Sequence, residues 1–144
     1  MQTREFLAQV RDDEIVAAIK AAEARTSGEI RVFVSEKEID DAVIAAQVTF
    51  TRLGMTKTHE RNGVLIFIAP RTRRFAVIGD EGIHRHCGPE FWRLLATEMS
   101  GCFKQGRFTE GLVLGITKAG ELLAAHFPHR RDDQNELPDR VERD

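Results

Sequence analysis

The densest set of chemically capable side chains lies in "GDEGIHRHC", residues 79 to 87, where Asp80 and Glu81 are followed by His84, His86 and Cys87. Two adjacent carboxylates suit a hard cation such as calcium or magnesium, which takes several oxygen ligands from convergent loops. An ion held by Asp80 and Glu81 would polarise a phosphate and activate water, with His84 as the candidate catalytic general base. A glycine-bracketed turn into a helix also holds phosphate through bare backbone N–H groups, but here two negative charges stand on the spot. The structural use of the same acids is an N-cap that complements the helix dipole, for about 0.5–2 kcal/mol. That use is the more frequent one.

His84, His86 and Cys87, with "HFPH" at 126 to 129, raise zinc, but the spacing matches no established zinc pattern. Histidines near helix ends are commonly surface residues. No serine or cysteine sits in a nucleophile elbow, so acyl-transfer chemistry has no support. Cys87 and Cys102 are the only cysteines and read as free thiols, not a disulfide framework.

At 144 residues, 42% hydrophobic and 31% charged, the chain is long enough for one core and too short for two ordinary domains. No apolar run approaches a bilayer span, and the charged start "MQTREFLAQVRDDE" is not a secretory signal, which predicts a cytoplasmic protein without membrane insertion. A net charge of -2 leaves no footprint for nucleic acid.

The elements that must position the acidic turn follow from periodicity. Residues 12 to 25 place Ile15, Ala18, Ile19 and Ala22 on one helical stripe, with Asp12 or Asp13 as cap. "EIRVFVS" alternates as a strand whose second face is partly apolar through Phe33. A helix from Asp40 or Asp41 to Leu53 shows Val43, Ala46, Phe50 and Leu53, with Gly54 as its C-cap. "GVLIFIA" is apolar on both faces and belongs in the sheet centre, completing a parallel βαβ unit. "PRTR" turns the chain into "RFAVIG", an antiparallel partner. A helix beginning near Pro89 carries Trp92, Leu95, Met99 and Phe103, and Thr109 caps a last helix bearing Leu112, Ile116, Ala119, Leu123 and Phe127.

The predicted fold class is α/β: a three-layer α/β/α sandwich with a small mixed sheet, a parallel βαβ unit followed by a hairpin, and helices on both faces. Residues 1–128 form this domain, and 129–144 form a charged, flexible C-terminal tail whose apolar residues are Leu137 and Val141. The topology brings three loops to one end of the sheet. "RTSGE" and "KTHERNG" lead into the two parallel strands, and "GDEGIHRH" leaves the antiparallel one. Ser27, Glu60, Arg61, Asn62, Asp80 and Glu81 are therefore expected on one rim, together with Lys57, His59, His84 and His86, whereas "SEKEID" and "PRTRR" occupy the other. The basic stretches are split between the rims, which argues against a nucleic-acid patch.

"TSGEIRVFV", "FTRLGM", "RNGVLIFIAPRTRRFAVIGDEGIH", "FW", "FKQGRFTEGLVLGI" and "GELLAAHFP" together resemble the TPM domain family, a phosphatase-like domain, from Phe6 to Pro128. The resemblance implies a Rossmann-like sandwich. It also implies a metal site made by acidic residues in loops at one end of the sheet, one of them the acid before "NG". Some members are membrane-anchored or exported, and a plant thylakoid member is associated with weak acid phosphatase activity and calcium. Here the residue before Asn62 is Arg61, and the turn after the hairpin is "GDEGIH". Arg61 among Asp80, Glu81 or Glu60 would supply the positive charge that a metal gives elsewhere. The expected function is a soluble binding or adaptor module that docks a protein partner at the polar rim or through the tail. The alternative is a calcium- or magnesium-dependent acid-phosphatase-like enzyme.

Overall fold

The computed structural model describes residues 1–129 and 140–144. Its centre is the pair of strands β1 (Glu29–Val34) and β2 (Gly63–Ala69), every residue of which is buried. They run parallel, with Glu29 beside Gly63 and Phe33 beside Phe67. Helix α3 (Ala42–Arg52) makes the crossover between them. Asp41 starts α3 by accepting the Val43 and Ile44 N–H groups at 3.0 and 3.1 Å, a cap that contributes about 1 kcal/mol. Gly54, at φ 74°, ends it.

Strand β3 (Arg74–Gly79) folds back antiparallel on β2 after a tight turn at Pro70–Thr72, closed by Arg73 in the left-handed region at φ 53°. The sheet order is β3-β2-β1-β4, where β4 is Val141–Arg143, parallel to β1. Helices α1 (Thr3–Gln9), α2 (Asp12–Glu23), α4 (Glu81–His84), α5 (Pro89–Lys104) and α6 (Phe108–His126) complete the elements.

Alternation along the strands sorts the core into two clusters. Ile30, Val32, Val34, Val64, Ile66 and Ile68 pack with α1, α2, α5 and α6 around Ile15, Ile19, Met99 and Ile116. Phe33, Leu65 and Phe67 pack instead with Ala42, Ala46 and Phe50 of α3. The Phe33 and Phe67 rings lie stacked with centroids 5.6 Å apart. The protein is thus a mixed α/β fold: a four-stranded mixed sheet with six helices packed on it among the described residues.

Several local expectations need correction. Val43 is not on the buried stripe of α3: it is 51% exposed, and the inward positions are Ala42, Ala46, Thr49 and Phe50. Ala46 and Phe50 face inward as expected, and the turn before them is buried through small Ala42, not Val43. Thr109 does not cap α6, which starts at Phe108; its hydroxyl accepts the Arg11 N–H at 3.2 Å, at the start of α2. Asp12 and Asp13 lie inside the first turn of α2, where they complement the dipole without capping it. Neither α1 nor β4 is signalled by the sequence pattern. Leu137 lies outside the described residues.

Candidate functional site

The geometry of the rim is set by register. Glu29 stands beside Gly63 at the start of the two parallel strands, and Val64 stands beside Gly79 at the end of β3. The segments before β1, before β2 and after β3 therefore meet at one end of the sheet. The Asp80 N–H bonds the Gly63 carbonyl at 2.9 Å, and the Gly82 N–H bonds the Arg61 carbonyl at 2.9 Å. The opposite rim is held separately, by Arg71 with Glu38 at 3.2 Å and by the Ile39 N–H donating to the Thr72 hydroxyl at 3.4 Å.

Arg61 and Asp80 form the centre of the site. The guanidinium donates from Nε to Asp80 Oδ2 at 2.7 Å and from Nη2 to Asp80 Oδ1 at 2.9 Å, a two-pronged pair. It also reaches Glu81 at 3.2 Å. Asp80 is buried, its side chain 6% exposed, whereas Arg61 is 39% exposed and Glu81 lies outward. The hydrogen bond to Asp80 and the charges of both acids push the Arg61 guanidinium above its ordinary value, against a smaller effect of burial. Asp80 is at the same time the N-cap of α4, accepting the Glu81 N–H at 2.8 Å.

A second chain of hydrogen bonds ties the two inlet loops together. Buried Asn62 donates from Nδ2 to the Ser27 hydroxyl at 3.2 Å, and Ser27 donates to Glu60 at 3.4 Å. The Asn62 N–H is taken by the buried Thr58 hydroxyl at 3.3 Å, while Asn62 Oδ1 is buried without a hydrogen-bond partner among the described residues. Gly82 lets the acidic turn approach: a Cβ there would lie 2.3 Å from the Glu60 carbonyl oxygen and 2.5 Å from that of Arg61.

Among the described residues, no hydrogen bond or ion pair joins the side chains of His84, His86 or His126 to this centre. His84 ends α4, exposed, and its imidazole has no hydrogen-bond or ion-pair partner among the described residues to orient it. His86 stacks on His126 with ring centroids 4.8 Å apart and meets Phe127 edge-on. Burial pushes the Cys87 thiol up, opposed by a contact with Trp92. Among the described residues, no three His, Cys, Asp or Glu side chains gather in a way that could hold a metal ion.

Sequence reasoning placed Ser27, Glu60, Arg61, Asn62, Asp80 and Glu81 at one rim, and the structure brings all six there. It missed Thr58 and Gly82. The signal for Gly82 was its position directly after two acids at a strand-to-helix handover, where backbones must cross closely.

No helix among the described residues is long and apolar enough to cross a membrane. No curated protein matches the chain. The solution structure of the N-terminal domain of a protein from P. gingivalis has a TM-score of 0.56 at 17% identity, covering 80% of this chain and 76% of that one, which speaks to the fold alone. The solution structure of the BA42 protein from the psychrophilic bacterium Bizionia argentinensis is similar throughout: TM-score 0.84, 40% identity, 94% of this chain and 95% of that one. The sequence pattern of the TPM domain matches residues 1–122, which include every residue of the rim, and the chain belongs to the TPM domain family.

Proposed function

We propose that this TPM domain is a soluble, cytoplasmic binding or adaptor module, three-layered and Rossmann-like, that docks a protein partner at the three-loop rim. In this reading Arg61 holds the charge that a divalent cation would otherwise supply. The observation that carries it is the two-pronged Arg61–Asp80 pair with its arm to Glu81. Calcium takes roughly six to eight oxygen ligands. Here both Asp80 oxygens and one of Glu81 face a fixed guanidinium, and a Glu60 oxygen accepts from Ser27. A cation entering this set would have to displace a like charge. The residues present do not fit a resident calcium or magnesium ion. Exposed His84, with nothing among the described residues to orient its ring, is equally poorly placed as a general base.

Thermal unfolding of the wild-type chain tests this. Millimolar calcium or magnesium should move the melting temperature by less than about 1 °C, since only a ligand that binds the native state raises it. A rise of several degrees would overturn the reading. Hydrolysis of a generic phosphate monoester with calcium, magnesium or manganese should stay at the same background in wild type, Asp80→Asn and Glu81→Gln. Activity present in wild type and lost in both variants would establish the phosphatase instead.

A further inference from the structure

The edge of β1 farthest from β3 carries a polar arrangement that no rim function uses. Arg31 faces the α3 side of the sheet and is only 4% exposed, although it lies on a strand that would be an open edge without β4. Its guanidinium is paired with Glu142, while its Nε has no hydrogen-bond partner among the described residues. A buried guanidinium on a sheet edge calls for a carboxylate from whatever strand covers it.

Each residue of the covering strand is read by a different group. Val141, beside Val32, packs its side chain on the cluster of β1 and α2. Glu142, beside Phe33, turns to the other face and meets Arg31. Arg143 returns to the first face and reaches Asp12 of α2 at 3.3 Å. Asp144 accepts from the Ser35 hydroxyl and, at 2.8 Å, from the Glu36 N–H. This is the alternation of a strand added to an edge, with backbone pairing for affinity and side-chain contacts for specificity. The acceptor residues lie within the TPM match, residues 1–122, whereas the strand that fills the edge lies outside it.

We propose that the β1 edge is a peptide-acceptor site for an extended segment of the pattern apolar–acidic–basic–acidic, presented by a partner protein, and that Val141–Asp144 occupies it in cis as a built-in competitor. Arg31 selects the acidic residue, Asp12 the basic one, and Ser35 with the Glu36 N–H the terminal acid. The site lies at a different edge from the rim, so neither reading depends on the other. A tethered strand acts at an effective concentration near millimolar, so an external segment binds well only once the internal one is released.

The test uses the full-length chain and a fluorescent peptide, Arg-Val-Glu-Arg-Asp, copying residues 140–144. A Val141→Asp/Glu142→Lys variant, whose own strand no longer matches the edge, should bind the peptide about tenfold or more tighter than wild type. A peptide with Lys in place of Glu should lose that gain. Equal binding by the two chains, or none by a variant with native circular dichroism, would overturn the proposal. If the variant does not fold, amide resonances of Val141–Arg143 in wild type decide: millimolar peptide should shift them to undocked positions, and unmoved resonances would reject the site. A concentration-dependent dimer that disappears in the variant would likewise reject it, since the strand would then belong to a second copy.

Discussion

A single arginine decides what the rim can do. Arg61 sits in the left-handed region at φ 52°, a conformation that a long side chain adopts uncommonly, and its carbonyl is engaged by the Gly82 N–H. The turn therefore aims the guanidinium at Asp80, and the pair gives a buried carboxylate its counter-charge and two hydrogen bonds. Arg61→Ala should lower the melting temperature, and adding Asp80→Asn should recover much of the loss by removing the stranded charge. Arg61→Lys should restore little, because an ammonium cannot pair both Asp80 oxygens in one plane. A double variant no more stable than Arg61→Ala would show that the pair does not govern stability. Charge arithmetic in the sequence was enough to suggest this partnership. The Ser27, Asn62 and Glu60 chain was legible only as proximity, because which oxygen accepts from which donor depends on side-chain directions that loop sequences do not dictate.

Elements were read well where one periodicity dominates. "GVLIFIA" could only be a doubly covered strand, and its alternation with α3 forced parallel pairing with β1. Reading was poorer where small residues do the packing: Ala42 and Ala46 line the inner face of α3, while Val43, Ile44 and Val48 are each more than half exposed. A scale that ranks valine above alanine phases such a helix wrongly. Two glycines make the same contrast testable. Gly82→Ala must push the backbones of Glu60 and Arg61 away from α4, and should destabilise by about 1–3 kcal/mol in urea unfolding. Gly101, inside α5, is exposed and would meet nothing within 4 Å, so Gly101→Ala should stabilise by about 0.5–1 kcal/mol. Similar effects at both sites would contradict the close crossing at the rim.

The whole molecule is closed by residues distant in sequence. Arg31 meets Glu142 across a separation of 111 positions, a pairing that no local pattern reveals. Composition alone made residues 129 to 144 a solvated tail; what it could not show is that one alternating stretch near the end covers the edge that β1 would otherwise leave open. Burial opposes ionisation of Glu142, but its hydrogen bond from Arg140 and the charge of Arg31 outweigh this and hold its carboxyl below the ordinary value of 4.5. The sign follows: a lowered folded value contributes stability that is present above pH 4.5 and is lost as the pH falls through the folded value. Amide resonances of Val141–Arg143 should therefore move toward undocked positions on acidification below that point. Asp144, facing Ser35 and the Glu36 N–H, and Asp12, facing Arg143, are the other carboxylates against this strand. The acid step should vanish in a Glu142→Gln variant; its persistence there would assign it elsewhere.

Because β4 runs parallel to β1 and Asp144 is fastened beside Ser35, Asp144 leaves the sheet at the end away from Ser27 and Asn62. The two ends are about 20 Å apart along a six-residue strand. A biotin or affinity handle added after Asp144 would anchor the molecule to a sensor chip with Arg61 and Asp80 facing the flowing sample. A handle before Met1 carries no such guarantee of orientation.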